Sequence, residues 1–315
     1  MDSSNSSEYE ISLWGPSSSG KTTLMNSLMR ALYQRSQRDP VFDYLLLDAD
    51  EENLQDYSRL FSSPLEEGTT TPRTTRWVFQ RRLKSNNVVP SKVVNIHSHL
   101  IQVHDMNGVN TINLDDPLTR SIFENSKFIL LMLDHTLLME GETSALTPWG
   151  TPGSSRQEYL EKIEKLIRFL ETSQTKYGRK LAVCFTKIDL LSLYREPWDL
   201  IKANFGVDMA NLLQSCSNKP GWSVESFAVS ALGFVNKNGK RIANFNKSDH
   251  SLIDVDGWVP HNVESPFFWM FNEIEQNRLK QYDFSFTRFS CLVVIENKIG
   301  LNTSINACSS LLGGN

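Results

Sequence analysis

The stretch Gly15-Pro16-Ser17-Ser18-Ser19-Gly20-Lys21-Thr22-Thr23 follows directly on the apolar run Ile11–Trp14. It fits the pattern G-x-x-x-x-G-K-[ST] at every fixed position. Gly15 and Gly20 let the backbone curl, so that successive N–H groups, with Ser17, Ser18, Ser19 and Thr23 among them, can face phosphate oxygens. Lys21 brings a cation to the β- and γ-phosphates, and the Thr22 hydroxyl is a ligand for Mg²⁺. The chemistry of this set is the holding of a phosphate chain. It needs a strand before the loop and a helix after it whose positive end points at the anion. Leu24, Leu28, Ala31 and Leu32 recur at helical spacing, which predicts that helix from Lys21 to about Arg35, packed on a sheet.

A phosphate loop does not choose a base. A second stretch, LAVCFTKIDLL, has a short buried strand, Leu181–Phe185, ending in Thr186-Lys187-Ile188-Asp189. A carboxylate at the end of such a strand can accept two hydrogen bonds from a ring that presents N–H and NH₂ side by side. Guanine offers that pair and adenine does not. Downstream, FAVSALG reads as a strand followed by Ser230-Ala231-Leu232. Between the loop and these elements, HLIQVHDMNG reads as a strand ending in Asp105, followed by Met106, Asn107 and Gly108. TTTPRTTRWVF leads into a strand at Arg76–Leu83.

In their order, Gly15–Thr22, Thr75, Asp105–Gly108, Thr186–Asp189 and Ser230–Leu232 resemble the five motifs of P-loop GTPases of the translation-factor/Ras type, over roughly residues 9–281. The resemblance implies GTP/GDP and Mg²⁺ as ligands. Asp105 would hold the metal through water, and the Gly108 N–H would sense the γ-phosphate. Thr75 would complete the metal shell, with Thr74 and Thr71 as rivals. The Lys187 stem would lie over the base, and the backbone of the Ser230–Leu232 loop would read the guanine carbonyl. It implies a three-layer α/β fold: a mostly parallel sheet of six strands, or slightly more, with helices on both faces and the ligand at the carboxyl ends of the strands. Lys21, Thr75 and Arg73 would serve catalysis, Arg73 standing somewhat like an arginine finger supplied in cis.

The chain departs from that pattern in two places. Val109 stands where a glutamine commonly orients the attacking water, which implies slow hydrolysis without a partner, or a GTP-locked interaction module with none. An inserted segment, FDYLLLDADEENLQDYSRLFSSPLEEGTT, reads as a strand Phe42–Leu47, a turn capped by Asp48 or Asp50 and a helix from about Glu51 to Phe61. Together with WVPHNVESPFFWMFNEIE it resembles the bacterial double-GTPase group of conflict and defence gene clusters. The same LLLDAD also resembles the second strand of ParA/MinD-type ATPases, but Pro16 stands where those carry a lysine. A protein effector or activating partner is implied, with a second GTPase among the candidates.

The remaining elements must frame these loops. The chain has 315 residues, 40% of them apolar, enough for one large core. Its domains read as a disordered N-terminus (1–8), one nucleotide-binding domain (9–281) with insertions at about 40–68 and 234–258, and an extension (282–315) with a strand-like start. Ser155 and Glu158 form a capping box for a sheet-covering helix Gln157–Leu170. Ser265-Pro266 opens another helix, to about Leu279, and Asn238-Gly239 marks a hairpin turn. A net charge of −4 gives no general attraction to nucleic acid. Four cysteines without metal spacing, and no apolar leader or membrane-length run, read as a cytoplasmic protein. His97 and His99 lack the partners of a metal site.

Overall fold

The computed structural model describes residues 8–16, 19–40, 42–48, 73–83, 95–105, 114, 116–138, 156–173, 178–191, 195–246 and 251–271. The chain divides into two compact units, Met1–Phe267 and Phe268–Asn315. The first carries every element considered below; of the second, only 268–271, a stretch of helix, is described. The expected helix Glu51–Phe61, Ser155 and the strand-like tail lie outside the described residues.

The fold is a three-layer α/β sandwich. Seven strands form the sheet: β1 (Glu8–Trp14), β2 (Phe42–Asp48), β3 (Arg73–Leu83), β4 (Asn95–Asp105), β5 (Phe128–Asp134), β6 (Lys180–Thr186) and β7 (Ser223–Ala228), in the spatial order β2-β3-β4-β1-β5-β6-β7. β3 pairs antiparallel with both neighbours, and the other pairs are parallel. Only β3 therefore runs against the sheet. The inserted β2 extends the sheet by an edge strand. β8 (Phe234–Lys237) and β9 (Lys240–Ala243) form a separate hairpin turning at Asn238-Gly239, both at positive φ.

Parallel strands need cover on both faces, and the burial shows it. β5 and β6 are buried at every position. One face, Ile129, Leu131, Leu133, Leu181, Val183 and Phe185, packs into a core with Tyr159, Ile163, Ile167 and Leu170 of α3 (Arg156–Thr172). Leu200 and Phe205 of α4 (Pro197–Phe205) and Leu213 of α5 (Val207–Ser215) join it. The alternate residues Ile11, Leu13, Leu130 and Cys184 are equally buried. α1 (Lys21–Arg38) buries Leu24, Leu28, Ala31 and Leu32 as its spacing predicts, and runs one turn past Arg35. It stops where Asp39 accepts from the Phe42 N–H (2.9 Å) and the Tyr44 hydroxyl (2.7 Å), which turns the chain into β2.

The sequence reading did not place α2 (Pro117–Asn125), α4 or α5. Two carried a signal, an acidic residue followed by proline at the first helical position. Asp116 caps α2 through the Thr119 N–H (2.9 Å) and hydroxyl (2.6 Å).

At the amino end of β6 the guanidinium of Arg179 is buried. It donates to the Phe123 carbonyl in the last turn of α2 (2.6 Å) and to the Ser173 hydroxyl beyond α3 (2.8 Å). Burial pulls its pKa down to about 10, so it remains a cation at neutral pH. Arg179→Ala would strand buried acceptors and open a void. Urea unfolding should show a loss of about 3 kcal/mol. The loops that follow the strands should keep their arrangement, because this clamp lies at the opposite end of the sheet.

Candidate functional site

The order of the sheet gathers the singled-out loops along one edge. β1 leads into the phosphate loop, and β4 beside it ends at Asp105. β5, on the other side of β1, ends at Asp134. β6 runs into Thr186–Asp189, and β7 leads into Ser230–Leu232. The chain leaves β1 towards one side and returns from β4 to β5 on the other, so the β1/β5 gap is the topological switch point, where open α/β sheets bind ligands.

At the phosphate loop, Gly20 takes φ +88° and its carbonyl accepts the first bond of α1, from Leu24 (2.8 Å). Among the described residues, its chain neighbours aside, no atom lies within 4 Å of where a Gly20 Cβ would stand, and the left-handed backbone calls for glycine. Gly15 is the reverse case: a Cβ there would come 2.5 Å from Ser19 Oγ and 2.9 Å from Met132 Cβ. Lys21 is buried, with its ammonium donating to the carbonyls of Gly15 (2.8 Å) and Pro16 (3.0 Å). The Ser19 hydroxyl is fully buried and has no hydrogen-bond partner among the described residues. Thr22 and Thr23 sit half-buried in the first turn of α1, and Ser17 and Ser18 lie outside the described residues. A cation folded under the loop, an orphaned buried hydroxyl and a helix N-terminus suit a phosphate chain.

The far end of the edge is organised by buried polar groups. Asp189 is 9% exposed, and its Oδ1 accepts from the Ser230 hydroxyl (2.6 Å). Ser230 Oγ in turn accepts from the Gly233 N–H (2.8 Å), and the Ile188 N–H reaches the Val229 carbonyl (3.4 Å), so the two loops are knit together. Burial raises the Asp189 carboxyl above the usual carboxylate range, and the Ser230 bond and the Lys187 charge only partly oppose it.

Lys187 takes φ 58°, a left-handed conformation uncommon outside glycine. Its ammonium pairs with Asp134 Oδ2 (2.6 Å), whose side chain is fully buried. Asp134 Oδ1 accepts from the Thr136 N–H (3.0 Å) and hydroxyl (2.7 Å). The Thr186 hydroxyl donates to the Leu133 carbonyl (3.3 Å), and the His135 ring stacks on Phe185 (5.0 Å between centroids) with Nδ1 3.2 Å from the Thr186 carbonyl. Asp134, Thr136 and His135 were not singled out in the sequence. Asp134 ends an apolar strand as Asp105 does, which was the signal available. Its partner is 53 residues away, and no local pattern gives that.

On the β3 side, Arg73 pairs with Asp105 in the backbone register, and Asp105 pairs with Leu13 of β1. Only the backbones of Arg73 and Asp105 are described. β3 begins at Arg73, earlier than the expected Arg76. Thr75 therefore lies inside the strand, opposite Val103, with its hydroxyl accepting from the Trp77 indole N–H (2.8 Å). Thr74 is exposed, its Oγ1 3.1 Å from His104 Nδ1. Thr71, Gly108 and Val109 lie outside the described residues. Among the described residues no group of three His, Cys, Asp or Glu side chains is placed to cage a metal. Among the described residues no helix is long and apolar enough to cross a membrane.

No family model and no curated protein matches the chain. Among solved structures it is similar to the signal recognition particle receptor SRb-GTP/SRX complex from Chaetomium thermophilum, at 16% identity and a TM-score of 0.42, over 76% of this chain and 100% of that one.

The buried Asp189 gives a prediction that needs no ligand. Its folded pKa is raised, so its protonated form favours the fold, and that contribution is lost as pH rises through the raised value. At neutral pH, Asp189→Asn removes a buried charge but keeps an acceptor for Ser230. Thermal unfolding should find the variant at least as stable as the parent at pH 7, with the difference shrinking towards acid.

Proposed function

We propose that the chain is a Mg²⁺-dependent guanine-nucleotide-binding protein that hydrolyses GTP slowly and acts as a switch. The observation that carries this is Asp189. It is a carboxylate with one oxygen taken by Ser230, buried at the end of β6, on the same strand-end edge as the phosphate loop. A desolvated carboxylate with spare lone pairs gains most from a ligand with two adjacent donors, and guanine N1–H and N2–H₂ are such a pair. Adenine has none to give and would leave the charge orphaned.

On this reading Lys21 leaves the Gly15 and Pro16 carbonyls for phosphate oxygens, and the amides of Gly15–Gly20 and the α1 N-terminus face the same charge. Thr22 and Asp105 would hold Mg²⁺, which when bound supplies neutralisation of the phosphate charge. Lys187, tied to Asp134, presents its methylene stem to the ring that Asp189 orients. The Ser230–Leu232 backbone reads the carbonyl of that ring. Val109 offers the attacking water no hydrogen bond, and the Thr75 hydroxyl already serves Trp77. Both support slow turnover, and with it a partner that supplies or aligns the missing group. Arg73 at the start of β3, beside Asp105 in register, is the in-chain candidate for stabilising the transferring phosphate. The inserted β2 segment and its likeness to the bacterial double-GTPase group support a second GTPase as that partner, in a conflict or defence setting.

Calorimetry with GTP and ATP side by side tests the assignment. GTP should bind with Mg²⁺ and weaken when the metal is chelated, and Asp189→Asn should cost about 2–4 kcal/mol of that binding. Lys21→Ala should abolish it without unfolding the chain. Equal affinity for ATP would sink the reading.

Single-turnover hydrolysis should run near or below about 10⁻⁴–10⁻³ s⁻¹, the scale of an unassisted GTPase that still has its glutamine. Arg73→Ala should slow it further with affinity unchanged. A brisk rate that survives this substitution would overturn the roles given to Val109 and Arg73.

A further inference from the structure

The loop Ser230–Gly233 is held from outside by residues that belong to none of the five motifs. Its partner is the segment 254–264, which runs alongside it. Ser230 and His261 exchange backbone bonds in both directions (3.0 and 2.7 Å). Asn262 Nδ2 donates to the Ala228 carbonyl at the end of β7 (3.2 Å). Gly233, at φ +71°, lies so close to the segment that a Cβ would come 1.9 Å from the Val259 carbonyl. At the centre is Trp258, which is fully buried. Its indole N–H donates to the carbonyl of Ala231, the middle residue of the loop (2.9 Å).

The same tryptophan is anchored on α1. Its main-chain carbonyl accepts from Arg30 Nε (3.1 Å) and Gln34 Nε2 (2.8 Å), residues one turn apart on one face of the helix. Arg30 also donates through Nη2 to the Asp256 carbonyl (2.8 Å), and its guanidinium lies 5.8 Å from the Trp258 ring centroid. The segment is closed on itself by Asn244, whose side chain donates to the Asp254 carbonyl (2.9 Å) and accepts from the Asp254 N–H (2.8 Å). A turn that only had to cover the sheet would not need its carbonyls collected by a helix and its indole spent on a neighbouring loop.

We infer that segment 254–264 is a brace that fixes the base-reading loop Ser230–Leu232 to helix α1, with Trp258 as its positioning residue. This rests on the guanine reading above. α1 begins at the phosphate loop. The brace therefore sets the position of the loop that reads the base carbonyl relative to the helix that holds the phosphates. Trp258 is fully buried beneath the loop. It acts through Ala231, whose carbonyl it restrains while the amides of the loop face the ring.

Three ligands separate this role from general loosening. GTP uses the phosphate loop, the carbonyl-reading amides and both Asp189 bonds. Inosine triphosphate keeps the ring carbonyl and loses the amino group that Asp189 reads. Inorganic tripolyphosphate uses the phosphate loop alone. In the full chain, Trp258→Phe keeps the ring and removes the N–H. It should weaken GTP and inosine triphosphate by the same factor, about three- to ten-fold, and leave tripolyphosphate unchanged. Gln34→Ala, which leaves the loop and Trp258 intact, should act in the same direction to a smaller extent, and it carries the test if Trp258→Phe does not fold. Unchanged GTP affinity in the variants, or a parallel fall in tripolyphosphate binding, would overturn the brace while the guanine reading stands. A parent protein that binds ATP as tightly as GTP would remove the guanine reading itself, and the brace with it.

Discussion

A carboxylate at the end of a buried strand is costly to keep ionised. Desolvation of one ion costs several kcal/mol after relaxation, and a hydrogen bond to a charged group returns about 1.5–3 kcal/mol. Asp189 has such bonds from Ser230 and from its own backbone N–H, and the Lys187 charge nearby. The balance is left short, and much of the surrounding structure bears on that shortfall. The left-handed Lys187 turn drives the chain inward and brings Asp189 under the edge. Ser230 must stand where β7 ends, so its loop is pinned by His261 and Trp258. A site that satisfied Asp189 completely with its own side chains would be more stable and would have nothing left for a ligand.

Lys187 illustrates the opposite solution on the neighbouring strand. Asp134 is more deeply buried than Asp189, yet it accepts from an ammonium, a hydroxyl and a backbone amide. A fully partnered carboxylate is a structural anchor. A partly partnered one, two residues beyond the lysine they share, keeps acceptor capacity for a further donor. The difference lies in the count of donors, since both are aspartates at the ends of buried parallel strands.

That difference also marks how far the sequence could be read. The loops were legible because each carries residue types that local geometry demands: glycine at the left-handed Gly20, a lysine able to fold under its own loop, an aspartate at a strand end. The strand β6 was legible as an apolar run too short to be anything but a buried strand. Of the helices α2 and α4 only the starts, Asp116-Pro117 and Glu196-Pro197, leave a trace in the sequence, because nine residues are too few to establish an apolar period. The Asp134–Lys187 pair and the Trp258–Ala231 bond could not be read at all. They join residues brought together by strand order and by the return of a long insertion, and neither leaves a periodic or spaced trace. Thr75 is a middle case. The threonine run was visible, but the start of β3 is set by pairing with β4, which extends to the Arg73–Asp105 rung and draws Thr75 into the sheet.

The distances between loops matter as much as the loops themselves. A ligand that binds at two places gains from the second contact only if the two are held at the separation the ligand presents. Otherwise each binding event bears its own ordering cost. The loop Gly15–Gly20 and the loop Ser230–Leu232 follow different strands, with β5 and β6 between β1 and β7. Sheet pairing fixes where the strands end, but not where the loops beyond them lie. Ser230–Gly233 extends past the last rung of β7 and, among the described residues, has no further strand on its outer side. Segment 254–264 fills that place and passes the constraint to α1, a rigid rod whose other end is the phosphate loop. Segment 254–264 is thus better understood as the outer support of an edge loop than as an appendage.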